Sequence, residues 1–338
     1  MALDFSFTDE HEELRATVRA FLDGRSDEAA VREQMATERG YDPEVWQQMA
    51  EQMGLAGLLI PEEHGGAGFG YVELLIVMEE MGRALLCAPY LGTAVLATNA
   101  LLHCADEKTR KELLTEIAAG RATASVAHAE PNGRWDLEDI EMQARKTDAG
   151  FELSGTKAWV LDGHTVDALL VVARSAKGLS LFRVAPDAAG LSRTLVPTLD
   201  TTRKLARVSF DKTPAALASA GDQTGALRRV LALTQAALAA EQVGGAQKCL
   251  EMAKSAAYAA CFAAANDEPD FLESAALAKA CCSEAYFHAA AENIQIHGGM
   301  GFTWELPVHL YFKRAKASEL FLGDAAHHRE VLAGLVGI

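Results

Sequence analysis

The chain has 338 residues, 50% of them hydrophobic, and a formal net charge of -16. That length and apolar content allow a large buried core split into two or three domains, and an acidic balance without a basic patch argues against a nucleic-acid partner. No apolar run reaches the roughly 18 residues of a membrane span, and the opening MALDFSFTDEHEELR lacks the basic and apolar regions of a signal peptide, so a cytoplasmic protein is expected.

In chain order, the first texture is helical. Leu14, Val18, Phe21 and Leu22 recur at helical spacing after a Thr8-x-x-His11 start, and Leu74, Val77, Met78 and Met81 form a second stripe. Between them PEEHGGAGFGYVE (61–73) reads as a glycine-rich loop. From about Ala122 to Phe210 the runs are short and β-rich: ASVAHAE, GFELSGTKAWVL, VDALLVVARS, LSLFRVAP and LARVSF, separated by turns such as TDAG. Short strands without intervening helices predict a small antiparallel barrel or sandwich. From about Asp222 onward the pattern is again helical and alanine-rich, which suits close helix–helix approach within and between subunits.

The six cysteines follow no CxxC spacing and read as reduced thiols buried as small hydrophobes. His327 and His328 beside Asp324 face two directions on a helix and read as solvent-exposed rather than metal-binding. Trp46 and Trp304 read as packing anchors.

One stretch is unusual. QIHGGMGFTWE (295–305) crowds Gly298, Gly299 and Gly301 between two helical segments. Glycine is costly in a helix and useful where backbone must approach something closely.

With GLAGLLIPEEHGGAGFGYVELLIVMEEMGRAL (54–85), HAEP…D (128–136), LSGTKAWVLDG (153–163) and QIHGGMGFTWELP followed by YFKRAK, the chain resembles the acyl-CoA dehydrogenase family over its whole length. The resemblance implies a mainly α fold with a central small antiparallel β domain. Its parts are an N-terminal helical domain (1–120), a middle β domain (121–213) and a C-terminal four-helix bundle (214–338). It implies FAD as cofactor, an acyl-CoA oxidised to the 2-enoyl-CoA, and an electron-transferring flavoprotein as acceptor. Gln295, Gly298 and Gly299 match the family stretch beside the adenosine and diphosphate of FAD, where backbone N–H groups at a helix end suit an anion. Trp159, Val160 and Ala129 match positions beside the flavin ring.

The departures are as informative. The glutamate that serves most of the family as base falls on Leu322, and the position a minority uses falls on Thr234. Glu319 and Asp324, if helical, point away from the face that Leu322 occupies. Glu241 lies two turns beyond Thr234 on the same face, in an apolar run that would raise its pKa toward a base's value. Two readings of Glu241 stand, a catalytic base and a carboxylate pairing at an interface. The family's hydroxyls beside the flavin are replaced by Ala129 and Leu161, its Gly-Ser pair by Arg134-Trp135, and no arginine stands near YAACFAAAND (258–267).

Such losses, a trimmed β domain and the stretch Asp200, Thr201, Thr202, Arg203 resemble the short subunits of heteromeric (α2β2) acyl-CoA dehydrogenases of bacterial steroid side-chain catabolism. The expected function is therefore one subunit of an FAD-dependent enzyme for a bulky acyl-CoA, working with a homologous partner chain. Two alternatives remain. One is a non-catalytic structural subunit completing the partner's FAD site. The other is a homo-oligomeric flavoenzyme of the same fold with other chemistry.

Overall fold

A computed structural model describes residues 7–148 and 150–338; the first six residues of the opening stretch and Ala149 of the TDAG turn lie outside it. The chain forms two units, Met1–Gly245 and Ala246–Ile338.

Helix α1, Asp9–Arg25, starts where the Thr8 signal predicts. Thr8 accepts from the His11 amide, and His11 Nδ1 accepts from the Thr8 amide at 3.2 Å, a reciprocal cap that meets two orphan donors. Helices α2 (Glu28–Ala36), α3 (Pro43–Glu51) and α4 (Tyr71–Arg83) follow. Val18 and Leu22 of α1 meet Leu74, Val77, Met78 and Met81 of α4 in one core, which also buries Trp46. The glycine-rich loop is shorter than predicted, because its last three residues already belong to α4. A π-helical turn, Leu91–Ala97, leads into α5 (Thr98–Cys104), and α6 spans Glu107–Ala118.

The middle of the chain is a seven-stranded sheet: β1 (Ala124–Ala127), β2 (Ala144–Thr147), β3 (Gly150–Leu161), β4 (Ala168–Ser175), β5 (Gly178–Val184), β6 (Leu191–Val196) and β7 (Leu205–Leu217). The order is β1-β4-β5-β7-β3-β2, with β6 on β7. A bridge from Gln143 to Arg174 brings the residue ahead of β2 back to β4, so the sheet curls on itself. One pair departs from the antiparallel expectation: β1 and β4 run parallel. The intervening β2–β3 hairpin supplies the long crossover that a parallel pair requires. Strand β4 is buried on both faces. Leu170 and Val172 pack against α5 and α6, while Leu169, Val171 and Ala173 fill the curled sheet's interior. The period of two in a strand produces this division.

Helix α7, Thr224–Ala265, begins in the first unit and ends in the second. Its early part crosses α4 with backbones touching. A Cβ on Gly82 would come within 1.9 Å of the Glu241 carbonyl oxygen, and one on Gly244 within 1.8 Å of that of Glu79. Only glycine permits that approach.

In the second unit, α8 (Phe271–His297) packs against α9 (Val308–Leu320) and α10 (Ala325–Val336). The cysteines are less buried than expected. Cys87 and Cys104 lie in cores, but Cys249, Cys261 and Cys281 are exposed because they sit on alanine-rich helix faces. Trp304 is likewise 81% exposed, resting edge-on against His309 rather than anchoring a core. No helix among the described residues is long and apolar enough to cross a membrane.

Candidate functional site

Strand β3 builds the first part of the site. Its pairing with β7 breaks between Lys157 and Val160, and at this bulge Trp159 adopts φ 57°. Bulges re-aim side chains, and here the Trp159 indole turns onto the wall of a cavity of about 340 Å³. Ala158, freed from β7, donates its amide to the Ala129 carbonyl at 3.0 Å. The HAEP segment and the Trp159 bulge are thereby joined, which brings Ala129 close to Trp159 and Val160 in the fold. The Val160 side chain packs in the sheet's interior.

Beneath them lies a buried ion pair. Lys157 Nζ donates to Glu130 Oε1 at 2.7 Å and to the His128 carbonyl at 2.9 Å. Both Glu130 oxygens also accept backbone amides, from Glu141 and Met142. Burial alone would raise the Glu130 carboxyl, but Lys157 and these amides outweigh it and hold it below the usual carboxylate range.

The cavity lies entirely within the first unit. Leu91, Leu96, Val126, Leu161, Leu205, Leu231 and Leu238 form apolar walls; His128, Trp135, Trp159, Arg203, Thr234 and Gln235 supply the aromatic and polar lining. Among the described residues no carboxylate lines it. Burial, and then the charge of Lys157, push His128 down to about 4, so its imidazole is neutral at pH 7. Thr234 cannot replace a base, since its hydroxyl donates back to the Val230 carbonyl at 2.9 Å. A wider cleft of about 740 Å³ on the sheet, lined by Phe151, Arg183 and Pro214 among others, holds none of the residues singled out in the sequence.

Glu241 corrects an expectation. Its surroundings are not apolar: Arg203 Nη2 lies 2.5 Å from Glu241 Oε1. The partner comes from the segment ahead of β7, 38 residues away in sequence, so helix periodicity could not reveal it. Arg203 itself follows a tight turn in which Asp200 accepts from the Thr202 amide and hydroxyl. Behind it, burial pushes the Asp162 carboxyl up to about 7 against the opposing charges of Arg203 and Lys204. Arg203 and His128 stood in the 200–203 stretch and in HAEP, but sequence reasoning singled out neither as lining a site, and it passed over Gln235 altogether.

The second unit holds the glycine stretch. Helix α8 ends at Gly298, whose φ of 54° and ψ of -137° suit glycine, and whose amide donates to the Gln295 carbonyl. A Cβ on Gly298 or Gly299 would meet nothing within 4 Å, whereas one on Gly301 would come within 2.9 Å of the Ile294 carbonyl oxygen. Gly301 serves packing; Gly298 and Gly299 leave open backbone that a ligand could approach.

Leu322 also corrects an expectation, because it is not helical. Helix α9 ends at Leu320, and Leu322 sits in the following turn with φ 65°, so the helix-face argument about Glu319 and Asp324 does not apply. Lys279 Nζ donates to the carbonyls of Ser318, Glu319 and Gly323 at 3.0 to 3.1 Å, terminating the helix, and Asp324 caps α10. No metal-binding cluster occurs among the described residues.

Comparison with known proteins agrees with this architecture. Residues 8–121, 125–213 and 232–336 match the N-terminal, middle and C-terminal domains of acyl-CoA dehydrogenases. The chain is 35% identical to acyl-CoA dehydrogenase IpdE2 of Mycobacterium tuberculosis over 97% of its own length and 96% of that protein. A variant of the steroid ACAD Tcur3481-Tcur3483 is 26% identical, with a TM-score of 0.66 and coverage of 97% of this chain and 98% of that one. The ChsE4-ChsE5 complex of Mycobacterium tuberculosis shares the fold, with 24% identity, a TM-score of 0.68 and 99% coverage of both chains. The chain therefore belongs to the acyl-CoA dehydrogenase family of FAD-dependent oxidoreductases.

Proposed function

We propose that this chain is one subunit of a heteromeric, α2β2 acyl-CoA dehydrogenase that oxidises a bulky acyl-CoA of steroid side-chain type to its 2-enoyl-CoA. The proton-abstracting carboxylate and the reacting flavin ring belong to a homologous partner, the electron acceptor is an electron-transferring flavoprotein, and the assembly works in the cytoplasm. The observation that carries this reading is the lack of an available base. Leu322 and Thr234 stand at the two family positions, no carboxylate lines the cavity among the described residues, and Glu241 is engaged by Arg203.

Two further features support it. The second unit leaves Met252, Tyr258, Phe262, Ile296, Phe321 and Trp304 exposed, a load of apolar surface that marks an interaction face. The 26%-identical steroid ACAD also carries a double name.

Taken separately, the second unit carries residues that fit part of FAD, and the first lacks those that fit its ring. Gln295, Gly298 and Gly299 would hold its adenosine and diphosphate, because the open backbone at the α8 terminus can approach an anion. Among the residues matched to the ring end, Ala129 and Leu161 offer no hydroxyl, Trp159 supplies surface alone, and the Val160 side chain is buried in the sheet. When bound, FAD supplies the hydride acceptor. Replacing Gly299 with leucine lowers the flavin content of the assembled enzyme while the circular dichroism of the fold is unchanged. Normal flavin content in Gly299→Leu would mean that these glycines shape the turn and nothing more.

Glu241 decides between the enzyme readings. In the assembled complex Glu241→Gln keeps turnover within a few-fold of wild type, because the residue is a structural carboxylate. A fall of roughly 10²–10⁴-fold with flavin retained would make Glu241 the base and overturn the assignment to the partner.

A further inference from the structure

We propose that Lys204 is a proton-controlled latch with two seats. It fastens the strap formed by residues 35–41 while Asp162 is protonated, and it turns to Asp162 when that carboxyl ionises, releasing the strap.

The two seats follow from register. Strands β3 and β7 pair Val160 with Ala206 and Leu161 with Leu205, and the Asp162 amide then donates to the Lys204 carbonyl at 2.9 Å. Asp162 and Lys204 are therefore cross-strand neighbours, a separation that a flexible lysine stem spans. Both are 7% exposed. Yet they are not paired. Lys204 Nζ donates to the Met35 carbonyl at 2.7 Å, and among the described residues neither Asp162 side-chain oxygen accepts a hydrogen bond.

The strap lies over the lysine. A Cβ on Gly40 would come within 2.4 Å of Lys204 Cγ, so the chain crosses the lysine stem where only glycine fits. A second hold on the strap is His164 Nε2, 2.7 Å from the Glu38 carbonyl. Leu161 and Arg203, the chain neighbours of the two latch residues, line the cavity, so the latch adjoins its wall.

The charges around Asp162 make Lys204 the group that moves. A carboxyl buried without a hydrogen bond keeps its proton more firmly than one in water. Burial pushes Asp162 up to about 7 against the charges of Arg203 and Lys204, so it is neutral in mild acid and ionised in mild base. The other charged and titratable groups here are His164 in its own turn, Arg39 and Tyr41 of the strap, and Asp167 at the start of β4. Cys87 and Asp200 lie in the field of Lys204, and Glu241 of α7 engages Arg203. With Arg203 so held, Lys204 is the neighbouring cation without a carboxylate partner among the described residues. A carboxylate holds an ammonium more strongly than a neutral carbonyl does, because it adds a full opposite charge in a poorly hydrated site. Ionised Asp162 therefore draws Lys204 off Met35.

Limited trypsin digestion of the coexpressed complex at about pH 6 and about pH 8.5, on either side of the Asp162 titration, tests this. Arg39 is exposed and precedes Gly40 in the strap. Cleavage between them, read as the new Gly40 N-terminus and scaled to a free peptide of the same sequence, is expected to rise about tenfold from the lower pH to the higher. Asp162→Asn keeps the shape and cannot ionise, so it holds the low rate at both pH values. Lys204→Met removes the latch and gives the high rate at both; should it fail to assemble, Asp162→Asn still decides. Cleavage in wild type that is absent or independent of pH, loosening in acid instead of base, or a pH dependence that survives in Asp162→Asn would each overturn the proposal. So would a strap that stays protected in Lys204→Met. Both latch residues and the cleaved bond lie in this chain, so the outcome does not depend on which subunit carries the base.

Discussion

Replacing Glu80 with alanine is expected to destabilise the first unit by about 3–5 kcal/mol, the cost of stripping one partner from a buried ionic network. Glu80 is 1% exposed and accepts from Arg19 Nε at 2.9 Å, Arg19 Nη2 at 2.7 Å and Arg83 Nε at 2.9 Å, with Arg15 at 3.4 Å. Removing it leaves several guanidinium groups facing one another at the α1–α4 contact. Burial alone would raise its carboxyl, but the hydrogen bonds and charges of Arg19 and Arg83 outweigh that and hold it below its ordinary 4.5. The sign follows. A depressed folded pKa means the stabilisation is complete above the unfolded value and is lost as pH falls through the folded one. Denaturant midpoints measured at neutral pH and at about pH 3 check both points. The Glu80→Ala deficit should be large at neutral pH and shrink in acid. A deficit that is small at neutral pH, or that does not change with pH, would contradict the account.

This network illustrates what was legible in the sequence and what was not. Helices α1, α4 and α7 could be placed from local signals, whereas α2, α3, α5 and α6 were not. The Thr8 cap starts α1, apolar spacing marks α4, and the alanine-rich run 224–265 reads directly as α7. Nothing local says that Glu80 meets Arg19, which lies 61 residues earlier. The Arg203–Glu241 pair was hidden for the same reason, and reading Glu241 from its apolar neighbours on one helix therefore gave the wrong surroundings. The β-rich runs marked β1, β3, β4, β5 and β7 but not β2 or β6, and the parallel β1–β4 pair depends on the crossover between them, which period-two patterning does not encode. At Leu322 a helical pattern was extended two residues too far, because the ammonium that ends α9 comes from Lys279 on another helix.

The candidate site divides in the same way. Trp159 was legible from its motif, and the positive φ that turns it outward was not. The openness at Gly298 and Gly299 answers what the glycine cluster raised, since their missing side chains leave space rather than fill a contact, unlike Gly301. The cavity draws on residues from Leu91 to Leu238, so its lack of a carboxylate among the described residues became visible only after folding.

The central claim is that this chain needs a different, homologous chain to make a flavoenzyme. Flavin per chain, quantified after expression alone and after coexpression with a homologous chain that carries glutamate at the position of Leu322, tests it most directly. Expressed alone, the chain is expected to be poorly soluble or colourless, because its exposed apolar helices and incomplete ring site await the partner. Coexpressed, it purifies as a yellow complex with FAD bound. A stable homotetramer of this chain alone, holding one FAD per chain, would contradict the account.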